Sequence, residues 1–75
     1  MKSREPVLLK LGRNIRKRRE NSELSQEDLA LKADLDRTYI GGVERGERNV
    51  TILSALRIAK ALDTTVSELS RGIEK

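Results

Sequence analysis

Apolar residues recur at helical spacing along most of this chain, separated by short polar breaks. Leu8, Leu11 and Ile15 stand at i, i+3 and i+7 and give a first helix, over about residues 6–21, its buried side. Pro6 suits the first turn of that helix. Leu24 then links to a second stripe, Leu29, Ala30 and Ala33, in a helix that opens after Ser25. Ser25 is a good N-cap, and Asp28 three residues on approximates a capping box, with Asp in place of Glu or Gln. Asp34-Leu35 supplies a turn. Asp36 can cap a third helix, over about residues 36–45, whose inward face is Ile40 and Val43. Gly46 stands where a C′ glycine ends a helix. Thr51 is the candidate cap of a fourth helix, over about residues 52–62. Ile52, Leu56, Ala59 and Leu62 fit its core stripe with Ala55 alongside, and Leu53 and Ile58 extend the apolar surface past one narrow face. Thr65-Val66-Ser67-Glu68 reads as a capping box for a fifth helix, over about residues 66–72. Residues 1–5 are polar and expected to fray.

The expected fold is therefore all-α, a compact five-helix single domain over residues 1–75. A chain of this length buries only a small core, so its stability should be marginal without a partner. It has no Cys and no His, which removes disulfides, thiolate metal sites, the commonest metal ligand and the commonest general base. The acids are scattered among bases, and no phosphate-cradling glycine loop or metal-ligand spacing occurs, so neither an enzyme nor a cofactor is expected. No apolar run is long enough for a signal peptide or a membrane span, and a cytoplasmic location is the default. The formal net charge of +4 fits a polyanionic partner without demanding one. Tyr39 is the single aromatic residue, which argues against a stacking platform for single strands.

Residues 25–46 read as two short helices joined by a tight turn, with positions 37, 38, 41 and 42 on the outer face of the second. Two such helices at a steep angle form a helix-turn-helix, whose second helix enters a DNA major groove. The stretch resembles the helix-turn-helix of the lambda-type phage repressors, the Cro/CI or XRE family. The resemblance is carried by Ser25-Gln26-Glu27-x-Leu29-Ala30, by Tyr39-Ile40 and by Val43-Glu44-Arg45-Gly46. The run Leu35-Asp36-Arg37-Thr38-Tyr39-Ile40, followed by Glu44-Arg45-Gly46-Glu47-Arg48-Asn49, is similar to the small controller proteins of restriction–modification systems. It implies a lambda-repressor-like fold and a transcriptional regulator that binds a palindromic double-stranded operator as a homodimer, sometimes as two dimers on adjacent sites. A controller would act on its own promoter and on an endonuclease promoter. An XRE-type antitoxin, which covers a protein partner as well as binding DNA, is the alternative.

Arg37 and Thr38 lie at the end of the recognition helix that reaches base edges: arginine can grip guanine bidentately, and a Thr methyl can meet a thymine methyl. Gly41 and Gly42 share that face. Each costs about 1 kcal/mol relative to Ala inside a helix, so either close backbone approach to DNA or tight packing against the second helix is expected to require them. Gln26, at a helix start, can meet a phosphate or a base edge. The Tyr39 hydroxyl can reach a phosphate, or its ring can cover the core. Arg16 and Lys17 are either a solvated basic face or further phosphate contacts. The resemblance adds Arg48 and Asn49 as backbone contacts just past the recognition helix, and an ion pair between Arg19 and Glu44. Leu53, Ile58, Val66, Leu69 and Ile73 are the expected dimer interface.

Overall fold

The computed structural model describes residues 5–74. The expected fraying of residues 1–5 therefore lies, apart from Glu5, outside the described residues. Five helices follow one another: α1 (Pro6–Asn21), α2 (Gln26–Ala33), α3 (Arg37–Glu44), α4 (Ile52–Ala61) and α5 (Val66–Leu69), with no strand among the described residues. α1 packs on α3, α2 on both α3 and α4, and α5 closes the bundle against α4 and α1. One core cluster joins Ile15, Leu29, Ala30, Ala33, Ile40, Val43, Ile58, Ala59, Leu62 and Leu69.

Helices α2, α4 and α5 start on side-chain caps. The Ser25 hydroxyl accepts from the Asp28 N–H at 2.9 Å, and the Asp28 carboxylate accepts from the Ser25 N–H at 3.0 Å. The Thr51 and Thr65 hydroxyls accept from the N–H groups of Ser54 and Glu68, at 3.0 and 3.1 Å. Asp36 occupies the N-cap position of α3 with an extended backbone, but its carboxylate makes no capping bond. Glu68 does not complete a reciprocal box at α5. Its carboxylate sits 3.7 Å from both Arg18 and Arg71.

Four helices end alike. Glu23, Asp34, Gly46 and Asp63 take left-handed φ between 57° and 75°. The next residue in each case donates back across the turn: Leu24 to Arg19, Leu35 to Ala30, Glu47 to Gly42 and Thr64 to Ala59, at 2.8–3.2 Å. This is the Schellman arrangement, in which otherwise orphaned carbonyls gain partners and the residue after the turn often packs inward. Leu24 and Leu35 do pack against the core.

α1 crosses α3 at Gly12. A Cβ there would lie 2.5 Å from the Val43 carbonyl oxygen and 2.6 Å from that of Glu44. Backbone cannot give way to a methyl at that distance, so any other residue would wedge the two helices apart.

Three expectations are corrected. In α4 the buried face is Ala55, Ile58 and Ala59, while Ile52, Leu53 and Leu56 are 71%, 58% and 52% exposed. Seven of its ten residues are apolar (Ile52, Leu53, Ala55, Leu56, Ile58, Ala59 and Ala61), so two phases of the stripe were open. The packing on α2 selects one. Ile58, and Leu69 of α5, are core residues of their own chain, almost fully buried, and are not available to a second subunit. Val66 and Ile73 are half-buried. α5, expected over 66–72, is helical only over Val66–Leu69. The Ser70 hydroxyl bonds back to the Val66 carbonyl at 2.8 Å, and Gly72 takes φ of 78°. The Asn14 amide of α1 donates to the Leu69 and Arg71 carbonyls at 2.8 and 3.0 Å, taking up the backbone acceptors that the short helix leaves.

Candidate nucleic-acid interface

α2 and α3 meet through the turn Asp34–Asp36, and the buried Leu29, Ala30, Ile40 and Val43 hold their inner faces together. That packing turns the N-terminal end of α3 outward. Arg37 and Thr38 are exposed there, and their side chains make no hydrogen bond or ion pair among the described residues. Their side-chain donors and acceptors are free for an external partner.

Beneath this face lies a buried charge pair. Glu44 places one carboxylate oxygen 2.6 Å from Arg19 Nε and the other 3.0 Å from Nη2. Arg19 also donates through Nη1 to the Leu24 carbonyl at 2.8 Å. The hydrogen bonds to Glu44 raise the guanidinium pKa against the opposing effect of burial. The same Glu44 oxygen that meets Nη2 accepts from Gln26 Nε2 at 3.0 Å. A carboxylate only accepts, so the amide nitrogen of Gln26 must face it. The Gln26 carbonyl is left beside Gly41, on the α3 surface. One glutamate thus ties α1, the first residue of α2 and the end of α3 to each other.

Gly41 and Gly42 are buried under neighbouring side chains, which corrects the expectation that they stand open on the outer face of α3. The space over Gly41 is filled by the Arg45 guanidinium and the Gln26 amide, 3.1 and 3.5 Å from where a Cβ would stand. The space over Gly42 is filled by the Arg48 side chain. Neither gap is closed by α2 backbone. The glycines make room for arginines, a reading that helical spacing alone did not suggest.

Tyr39 is half-buried against the core, and its hydroxyl donates to the Asn49 carbonyl at 3.4 Å. The Arg48 guanidinium lies 5.8 Å from the Tyr39 ring centroid, within cation–π range. Gln26, Tyr39, Gly41, Gly42, Arg48 and Asn49 therefore form one connected surface around α3. Arg45 belongs with them, bound to Glu47 at 3.1 Å and folded over Gly41. Its place four residues after Gly41 puts it on the same helix edge, although sequence analysis assigns it no contact role. Arg16 is exposed and paired with Glu20 at 3.1 Å. Lys17 lines an open groove between α1 and α5 with Lys10, Arg18 and Arg71, apart from the α3 cluster.

This geometry defines a helix-turn-helix unit with an unpartnered polar face on its second helix. The helix-turn-helix family pattern matches residues 15–69. Control protein C.MunI from Mycoplasma is 41% identical over 70 residues, covering 92% of this chain and 95% of that protein. Control protein C.SmaI from Serratia marcescens is 52% identical over 59 residues, 79% of this chain and 70% of that one. Among solved structures, the restriction–modification controller C.AhdI from Aeromonas hydrophila superposes with a TM-score of 0.82 at 50% identity, covering 83% of this chain and 94% of that one. The chain belongs to the helix-turn-helix family, among its restriction–modification controller proteins.

Proposed function

We propose that this chain is a sequence-specific, double-stranded-DNA-binding transcriptional regulator and has no catalytic role. It acts as a controller on its own promoter and on that of a restriction endonuclease. The observation that carries this reading is the free, exposed pair Arg37 and Thr38 at the N-terminal end of α3. That end of a recognition helix is the part that reaches base edges in the major groove. Arg37 reads a guanine through O6 and N7, and Thr38 reads a neighbouring base. The side chains of Gln26, Tyr39, Arg45 and Arg48 and the backbone around Asn49 flank the helix and hold it in register on phosphates, which adds affinity without sequence information. Arg16 adds to the general positive field.

The homodimer is part of the same proposal. Ile52, Leu53 and Leu56 expose contiguous apolar surface on α4, and a chain with so small a core gains stability by covering it. A two-fold axis at α4 would pair two copies of α3 for half-sites one helical turn apart, about 34 Å, on a palindrome. No helix of the described residues is long and apolar enough to cross a membrane.

Selection of bound duplexes from a randomised library at near-physiological salt tests the proposal. A palindrome with half-sites about one turn apart is the expected result. Binding without an enriched motif would overturn the specific-reader assignment.

A further inference from the structure

Gly42 lies in the interior of α3 and has no left-handed φ, so its backbone is one that alanine adopts readily. The lack of a side chain there has a steric consequence instead. A Cβ at position 42 would stand 2.8 Å from Arg48 Cγ, 3.3 Å from Nε and 3.6 Å from Cδ. Carbon atoms in contact settle at about 3.5–4.0 Å, so a methyl group there and the present Arg48 rotamer exclude each other. The Arg48 stem runs across the bare helix surface at Gly42, and its guanidinium rests over the Tyr39 ring at 5.8 Å. Tyr39 is in turn held from its other end, by its hydroxyl bond to the Asn49 carbonyl. Three residues from a helix and the loop after it thus fix one otherwise freely rotating arginine on the edge of the recognition face.

We propose that Gly42 is a positioning residue for DNA binding: its absent side chain is the seat that holds Arg48, with Tyr39 as the backrest. Fixing a long side chain before binding removes part of the rotamer entropy that complex formation would otherwise cost. The inference rests on the reading of Arg48 as a phosphate contact.

The test is a double-mutant cycle of Gly42→Ala and Arg48→Ala on a duplex obtained by selection, with affinity measured against salt concentration and thermal melts run in parallel. Arg48→Ala should weaken binding on the order of tenfold, the equivalent of one lost charge-assisted contact. It should also lower the salt slope by about 0.9, the release of one counterion. Gly42→Ala should reproduce a large part of both effects while leaving the melting temperature unchanged or raised, because alanine is the better helix former. In the Arg48→Ala background, Gly42→Ala should cost nothing more. Three results would overturn the seat. One is unchanged affinity and slope in Gly42→Ala. Another is an equal further loss in the Arg48→Ala background, which would mean that the methyl obstructs the DNA itself. The third is a melting temperature lowered by several degrees, which would make Gly42 a packing residue of the fold. If instead Arg48→Ala leaves affinity and slope untouched, the phosphate contact is wrong and the seat loses its purpose with it.

Discussion

Glu44 grips Arg19 with both carboxylate oxygens, at 2.6 and 3.0 Å, in a site where the two side chains are only 2% and 11% exposed. The pair connects the last turn of α1 to the last residue of α3, and Gln26 adds the start of α2 to the same oxygen. Removing one partner would leave the other charged and buried. Glu44→Ala should therefore destabilise the domain by about 3–5 kcal/mol. For a domain of this size that is a fall in Tm of about 12 °C or more. Replacing both partners by apolar residues, Arg19→Met with Glu44→Leu, should be less damaging than either single change, because no stranded charge remains. A Tm that barely moves in Glu44→Ala would place the pair with ordinary surface ion pairs.

Arg37 should carry discrimination, not bulk affinity. It is exposed and unengaged within the described residues. Its loss should disturb nothing in the fold and, if the proposed readout holds, remove one bidentate base contact, worth about 1–3 kcal/mol of preference. Arg37→Ala should relax the choice at one position of each half-site and leave non-specific, salt-sensitive binding nearly intact. Repeating the duplex selection with the variant checks this. An unaltered motif would take Arg37 out of the readout.

The helix-turn-helix was legible because several local signals agreed there. Ser25 and Asp28 cap α2, the Leu29–Ala33 and Ile40–Val43 stripes each allow one phase, and Gly46 turns left-handed at the end. α4 was ambiguous for the opposite reason: so much of it is apolar that periodicity could not tell the buried side from the spare one. The early end of α5 depended on the Ser70 back-bond and on an Asn14 amide from another helix, a long-range contact. The seat of Arg48 on Gly42 was hidden as well. It depends on the path of the chain after Gly46, and loops have no period to read.

The exposed face of α4 gives a prediction about assembly. Leu53 and Leu56 stand 58% and 52% exposed beside Ile52. Leu53→Lys with Leu56→Lys removes only half-solvated side chains from the monomer, so helix content should persist. Burying two lysines against a second copy is strongly unfavourable. Sedimentation should then show the proposed dimer shifted to monomer, and operator affinity should fall with it. A double variant that stays dimeric would move the two-fold axis elsewhere on the surface.

Glu23 takes φ of 60° in the turn that ends α1. A side chain in that region costs about 1–2 kcal/mol. Glycine escapes this but loses about 0.5–1 kcal/mol through the freedom of the unfolded chain. Glu23→Gly should raise stability by about 0.5–1 kcal/mol, a gain of a few degrees in Tm. The Leu24 bond to Arg19 is retained, so α1 and the buried pair keep their geometry. A loss of stability would show that the glutamate side chain makes a contribution larger than its strain.

The capping box of α2 predicts a pH dependence. The Ser25 N–H, followed by the Ser25 hydroxyl, holds the Asp28 carboxyl below the ordinary aspartate value. A carboxyl with a lowered folded-state pKa binds its proton less readily in the folded chain than in the unfolded one. Its contribution is then fully present above the unfolded value, about pH 3.9. It fades as pH falls through the lower folded value. Asp28→Asn keeps an acceptor but has no charge to lose. The stability difference between the parent chain and Asp28→Asn should be constant at neutral pH and shrink on the acid side of about pH 4. Other carboxylates titrate in both proteins and cancel in the difference. Urea midpoints at several pH values measure it. A difference that persists unchanged into acid would mean that Asp28 acts through shape alone. The charge of the cap would then contribute nothing to holding α2, and with it Gln26, in place.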